Sequence, residues 1–379
     1  MTSSAVAAPA QKEFTVVLRG PSAAVFEEDA GIRLREANAG DGHIQLHFRT
    51  RWRVLGEGRK LPGHVWLEAV GCAASLDEAV SKFSRSALVF VPVISFAANA
   101  AIGDCDFELA FDSSSSRGER DFIQSYVPDE VALLREGRRI DPPATVKLLE
   151  AIQRSSHRER VLRAVNQYWL ALQSWRFGYE SMAVAHLWMA VEALTKAVLR
   201  EERRRRGLAS QSELAAALGV ELKGLDATIR RNLILQGDDE CYGDGKEASD
   251  GLEHGFLGFD EIRGKSAKVR DRMGTLVRRA IFGLVNLEPE ATTVLERAPF
   301  DKPLGNWPLT RLMRGQLIGE GVELAAPGNA YPVLAWKVSL NKAEPTSGGR
   351  VKAEMTEAMT PQLGPGIAFK PLRHEVWGQ

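Results

Sequence analysis

His186-Leu187-Trp188-Met189-Ala190-Val191-Glu192-Ala193-Leu194 lies within a longer pattern, in which Val184, Leu187, Trp188, Val191, Leu194 and Val198 recur at steps of three and four. That spacing predicts a helix with one apolar stripe. A second stripe precedes it: Val161, Val165, Trp169, Leu172 and Trp175. Gly178 lies between them and suits a tight turn, so the two segments are expected to pack antiparallel. Glu201-Glu202-Arg203-Arg204-Arg205-Arg206-Gly207 reads as the end of the second helix. Arginines suit its negative dipole end, and Gly207 suits the left-handed cap position. Ser212 to Leu218 opens another helix, and a last one is expected from about Asp260 to Val285.

The flanks read differently. Ile44, Leu46 and Phe48 alternate with amphipathic residues, as in a half-buried strand. Phe14–Leu18, His64–Val70, Phe107–Phe111 and Phe122–Tyr126 are further expected strands. Ser75-Leu76-Asp77-Glu78 has the spacing of a capping box, and the helix after it is expected to bend at Pro92. Asp141-Pro142-Pro143 reads as a break. Beyond Pro289 the chain is rich in glycine and proline. There Leu334, Trp336, Val338 and Leu340 alternate, as do Val351, Ala353 and Met355 across the Pro345–Gly349 turn. The predicted class is α+β. Residues 1–12 form a disordered tail, 13–140 an α+β domain, 141–288 an all-α helical domain, and 289–379 a small β-rich subdomain.

One short motif carries chemistry. Arg231-Asn232-Leu233-Ile234-Leu235-Gln236-Gly237 follows the paired helices. Together with the order of helices and the 186–194 segment, it resembles HEPN-type helical domains, and ApeA-like members in particular. The resemblance covers about 140 of the 379 residues. The family motif is Arg, a polar residue, three variable residues and His; here Gln236 holds the His position. The family's nuclease form needs no metal: a 2′-hydroxyl attacks the adjacent phosphate, His moves protons, and Arg balances charge. The resemblance implies that Arg231 stabilises charge and Asn232 positions the His or the phosphate. It also implies RNA as partner, a homodimer through the helical domain, and a role in stress or phage defence. Gln can hydrogen-bond but does not titrate near neutral pH. His254 is then the candidate general acid–base, reached if the acidic, glycine-rich segment 237–251 folds back as a loop. A structural arginine at a helix end, bonded to carbonyls or to those acids, is the competing reading of Arg231. The layout also has a faint resemblance to methylamine-utilisation accessory proteins (MauJ type), which implies a non-enzymatic accessory or scaffold protein.

Bulk properties exclude several classes. The chain carries 49 basic and 49 acidic residues, so net charge exerts no long-range pull on nucleic acid, and anion binding requires a local patch. Arginine outnumbers lysine, as in GC-rich bacterial genomes. Cys72, Cys105 and Cys241 lie far apart, with no zinc or disulfide spacing. The acidic segment does not match a calcium loop. No dinucleotide, P-loop, serine-hydrolase or zincin motif occurs, so neither cofactor nor metal is expected. The N-terminus has no signal-peptide pattern, and the apolar stretch 87–102 is interrupted, so no membrane span and a cytoplasmic location are expected. The Arg203–Arg206 run reads as a solvated helix end paired to Glu201 and Glu202. Trp169, Trp175 and Trp188 read as core or dimer-face residues, and His186 as a boundary histidine.

Overall fold

The computed structural model describes residues 12–38, 42–54, 60–114, 121–125, 137–305, 310–318, 333–346, 350–362 and 368–377. Chain order begins with β1 (Lys12–Gly20), β2 (Ala24–Val25), β3 (Ile32–Asn38), β4 (Gly42–Val54) and β5 (Lys60–Ala73). Next come α1 (Leu76–Leu88), α2 (Val91–Ala98), β6 (Asp106–Asp112), β7 (Phe122–Gln124) and β8 (Arg138–Arg139). The helical region holds α3 (Pro142–Arg154), α4 (Arg158–Gln173), α5 (Glu180–Arg205), α6 (Gln211–Ala217), α7 (Leu225–Thr228), α8 (Asp239–His254), α9 (Phe259–Leu284) and α10 (Pro289–Glu296). Then β9 (Thr310–Ile318), β10 (Val333–Thr346), β11 (Arg350–Gln362) and β12 (Ala368–Trp377) follow. The class is α+β, with a sheet whose neighbouring strands run antiparallel in the order β3-β4-β5-β1-β6-β7.

Alternation builds that sheet. Phe14, Val16, Leu18, Ile44, Leu46, Phe48, Val65 and Leu67 are all buried, and Ala79, Phe83 and Ala87 of α1 share their core. Ser75 caps α1 by accepting from the Glu78 N–H at 3.2 Å, and Glu78 reaches back to the Ala74 N–H at 2.9 Å. The expected bend at Pro92 is a break into two helices, with Pro92 in the first turn of α2, where it displaces no helical hydrogen bond.

A second core belongs to the helices. The two stripes form α4 and α5, which pack on each other, and α5 also packs on α8 and α9. Gly207 ends α5 at φ 66°, the left-handed cap. Trp175 and Trp188 are buried in this core, and the Trp169 indole N–H donates to the Ile102 carbonyl at 2.6 Å, tying α4 to the sheet unit. Trp175 and Trp188 are thus core residues, and Trp169 is partly buried against the sheet core. The segments Leu76–Ala98 and Glu180–Arg205 are apolar and long enough to cross a membrane, but α2 and α5 bury their apolar side chains against the rest of the protein.

Several expectations need correction. Asp141-Pro142-Pro143 starts a helix: Asp141 accepts from the Ala144 N–H at 2.9 Å, and the prolines occupy the first turn of α3. Pro289 likewise opens α10, so helix extends to Glu296 before the β-rich segment begins. Strand β3 escaped the pattern because Ile32 and Leu34 give only two periods. In the C-terminal segment β10 pairs with β11 and β12 with β9; the 1–11 tail, Tyr126 and the 347–349 turn lie outside the described residues.

The two cores are joined by a buried arginine. Arg278 of α9, 4% exposed, donates to the carbonyls of Phe96 (3.2 Å), Ala97 (2.7 Å), Leu295 (2.5 Å) and Phe300 (3.4 Å). Phe96, Ala97 and Leu295 lie in the last turns of α2 and α10, where carbonyls run short of helical donors; the Phe96 carbonyl also accepts from the Asn99 N–H at 3.1 Å. Replacing Arg278 by Met, which keeps the stem and deletes the donors, should cost about 3–5 kcal/mol in urea unfolding, with Arg278→Lys intermediate.

Candidate functional site

The motif lies on a π-helical turn, Ile229–Ile234, that continues from α7. The turn is closed by Leu235 N–H donating to the Arg230 carbonyl at 2.9 Å and Gly237 N–H donating to that of Arg231 at 2.8 Å. Gln236 and Gly237 adopt φ of 53° and 80°. Two consecutive left-handed residues reverse the chain into α8, whose N-cap Asp238 accepts from the Cys241 N–H at 2.9 Å. The Gln-Gly pair is thus a helix-to-helix turn, and glycine at the second position avoids the strain a side chain would meet there.

Adjacent arginines on this turn do different work. Arg230 points into the bundle, with Nε donating to Thr195 Oγ1 at 3.1 Å and a terminal nitrogen 3.1 Å from Glu192 Oε1. Beside it, Lys196 of α5 grips both Asp226 oxygens at 2.7 and 2.9 Å. These contacts fasten the turn to α5. Arg231 faces outward and makes a two-pronged ion pair with Asp239 in the first turn of α8; the second bond is 2.6 Å. Hydrogen bonding to Asp239 raises the Arg231 pKa and lowers that of Asp239. Asn232 and Gln236 are exposed.

Segment 239–254 is helix α8, not a loop that folds back. Two of its three glycines serve packing, while Gly243 faces open space. A Cβ on Gly245 would lie 3.2 Å from the Met273 sulfur, and one on Gly251 would lie 2.9 Å from Leu257. His254 ends α8, exposed, fifteen residues from Asp239. At the helical rise this is about 22 Å along the axis. The structure brings Arg231, Asn232 and Gln236 to one end of α8 and places His254 at the other.

The acids of this segment are neutralised across the helix pair. Glu240 bonds to Lys268 and Arg272. Asp244 lies 3.5 Å from both Lys265 and Lys268, and Lys265 is 2.9 Å from Glu247. Asp238 faces Arg272 at 3.4 Å, and Lys246 pairs with Asp250 on the same helix. Sequence proximity shows only Lys246 opposing the acids; the other cations come from α9, about one helix diameter away. Among the described residues no cluster of His, Cys, Asp and Glu has the makings of a metal site.

Other candidates resolve as structure. At the α5 end, Glu202 bonds to Arg205 at 2.8 Å and Arg206 at 2.5 Å, while Glu201 bonds to Arg204. His186 Nδ1 is 2.9 Å from Gln167 Oε1, and burial lowers its pKa. A shallow groove of about 380 Å³ between α4 and α5 is lined by Leu162, Met189 and Ala193 with Glu159, Arg163, Asn166 and Gln167.

No protein-family model, curated protein or solved structure matches the chain.

Thiol chemistry is suppressed at two of the three cysteines. Burial pushes Cys105 and Cys241 up to about 12, whereas Cys72 is exposed. Titration with a thiol-reactive disulfide should therefore modify Cys72 rapidly in the native protein. Cys105 and Cys241 should react only after unfolding; fast modification of either would contradict their placement.

Proposed function

We propose that this chain is a non-enzymatic accessory or scaffold protein built on a HEPN-like bundle, which binds partners and does not cleave RNA. The observation that carries this reading is the Arg231–Asp239 ion pair. The guanidinium that would meet a phosphate is already engaged by a carboxylate, and Gln236 offers no proton donor of suitable pKa. General acid–base catalysis is worth about 10² to 10⁴ in rate, and His254, the candidate to supply it, stands at the far end of α8. The paired acids on α8 further place carboxylates along the path of an approaching phosphodiester. The same reading places the protein in the cytoplasm, where three separated, unpaired thiols are ordinary.

A surface at one end of the bundle supports the scaffold role. Phe177 (59% exposed), Tyr179 (45%) and Met182 (40%) surround the α4–α5 turn, and Phe256 (61%) and Phe259 (62%) the α8–α9 turn. Arg263 joins the two, lying 4.7 Å from the Phe177 ring and 3.7 Å from Glu180. Exposed aromatics gathered in this way mark an interaction surface. Arg176 lies 3.7 Å from the Tyr179 ring, and Asp260, Glu261 and Arg263 share the first turns of α9, so the region carries both signs of charge, as a two-fold contact between copies requires. The second copy of this chain is the proposed occupant.

Two measurements test this. Purified wild type should leave a labelled single-stranded RNA intact over hours with EDTA or Mg²⁺, and Arg231→Ala should behave identically. Cleavage by wild type that Arg231→Ala abolishes would overturn the reading in favour of a ribonuclease. In light scattering, wild type should run as a dimer at micromolar concentration, and Phe256→Glu with Phe259→Glu should shift it to monomer without lowering the melting temperature.

A further inference from the structure

The outer face of the six-stranded sheet carries a feature that the helical domain does not explain. In an antiparallel sheet, residues two apart share a face, and paired residues lie side by side across the strands. One row across that face runs Arg33, His47 and Glu68 on β3, β4 and β5 and ends at Val17 of β1, which is buried. The next runs Arg49, Trp66, Arg19 and Asp106 on β4, β5, β1 and β6. Arg35 continues the first side of the face along β3, and Arg51 lies two residues past Arg49 on β4. Arg19, Arg49 and Arg51 therefore lie beside Trp66, and Arg33 and Arg35 line the same face two strands away on β3.

The guanidinium carbons of Arg49 and Arg51 lie 4.6 and 5.1 Å from the centre of the Trp66 ring. Acids hold them there: Arg49 is 3.6 Å from Glu68 and Arg51 is 3.0 Å from Glu108. These two guanidiniums are thus held in place by stacking and by ion pairs, and the charge open to a ligand is that of Arg33 and Arg35. The Trp66 indole N–H and the Arg49 Nε are buried and have no hydrogen-bond acceptor among the described residues. Desolvation and the neighbouring Arg33 and Arg49 charges lower the His47 pKa, consistent with a positive surface there. Arg33 and Arg35 are exposed on the edge strand.

We propose that this face binds single-stranded nucleic acid. The positive charge complements a phosphate backbone, and on a neutral protein it is local, so it acts as a site and not as a general attraction. The planar Trp–Arg stack distinguishes a base from other anions, because every base offers a π face. A gently twisted sheet with arginines in rows also accepts splayed bases more readily than a duplex groove. An acidic polypeptide would use the charge but not the stack. The inference rests on the sheet unit alone and stands or falls separately from the reading of the bundle.

The test is fluorescence anisotropy of a labelled 20-nucleotide single-stranded RNA with the full-length chain, from 50 to 200 mM KCl. Wild type should bind, and binding should weaken linearly in log salt. Arg33→Glu with Arg35→Glu, both on the solvent face, should weaken binding at least about tenfold and flatten the salt slope by about 1.4, two phosphates' worth. Trp66→Leu should weaken binding with the slope unchanged. If that variant unfolds, the arginine pair still decides. Absence of binding by wild type at 50 mM KCl, or equal binding by the arginine pair, would overturn the proposal. So would competition by polyglutamate as effective as unlabelled RNA of equal charge, which would assign the face to acidic polypeptide. Intact RNA on a gel of the same samples reads the bundle's inactivity independently.

Discussion

The architecture depends on a guanidinium buried without a carboxylate. Arg278 keeps a partial charge balance through the carbonyl dipoles at the ends of α2 and α10, and burial drops its pKa to about 10. Its neighbours extend the same solution. Asn99, at the left-handed cap of α2 with φ 49°, donates to the Phe300 carbonyl at 2.8 Å and accepts from the Tyr168 hydroxyl at 2.7 Å. Arg138 donates to the Asn99 carbonyl at 2.7 Å. Each of these groups lies inside the protein, so each bond removes a desolvation cost that would otherwise fall on a bare polar atom. The knot links the sheet unit, α4, α9 and the segment after α10. Helix α2 accordingly divides its side chains between both cores, with Ile94 in one and Phe96 in the other.

That rigid frame decides what the motif can do. With α8 fixed against α5 and α9, the turn at Gln236 sets Arg231 against the first turn of α8 and sends His254 to its far end. The α8–α9 ion pairs then hold that register. Changing the distance between Arg231 and His254 would require unwinding α8, which buries Cys241, Ala248 and Gly251. The separation is therefore a property of the packed bundle and not of a loop awaiting substrate.

Much of the fold was legible because its signals are local. Period-3.6 stripes gave α4, α5 and α9, period-2 alternation gave β1, β4 and β5, and Ser75 with Glu78 marked the start of α1. What escaped depends on partners distant in sequence. The glycines of α8 read as loop because the reason for Gly245 and Gly251 is contact with Met273 and Leu257 side chains, which no local window reveals. The acids of α8 read as unopposed because Lys265, Lys268 and Arg272 approach from the next helix. Prolines at 142 and 289 read as breaks because the same residue that stops one element can open another. At the motif, the competing reading of Arg231 as a helix-end arginine named its chemistry, but the partner, Asp239, follows only from the turn geometry. Arg230 carried no signal to separate it from its neighbour.

Charge placement unites the two faces of the protein. The net charge is zero, yet the charges are not mixed evenly. On α8 and α9 opposite charges face one another at 2.9 to 3.5 Å and cancel. On the outer sheet face, arginines outnumber acids, and Trp66 lies among them. An ion pair closed within the protein has little left to offer a ligand, since recruiting either member means breaking a bond already made. A cation exposed on an edge strand can exchange water and counterions for a phosphate at little structural cost. The helical region carries the Arg231–Gln236 motif and the sheet carries the more available charge, so the two lie on different parts of the chain.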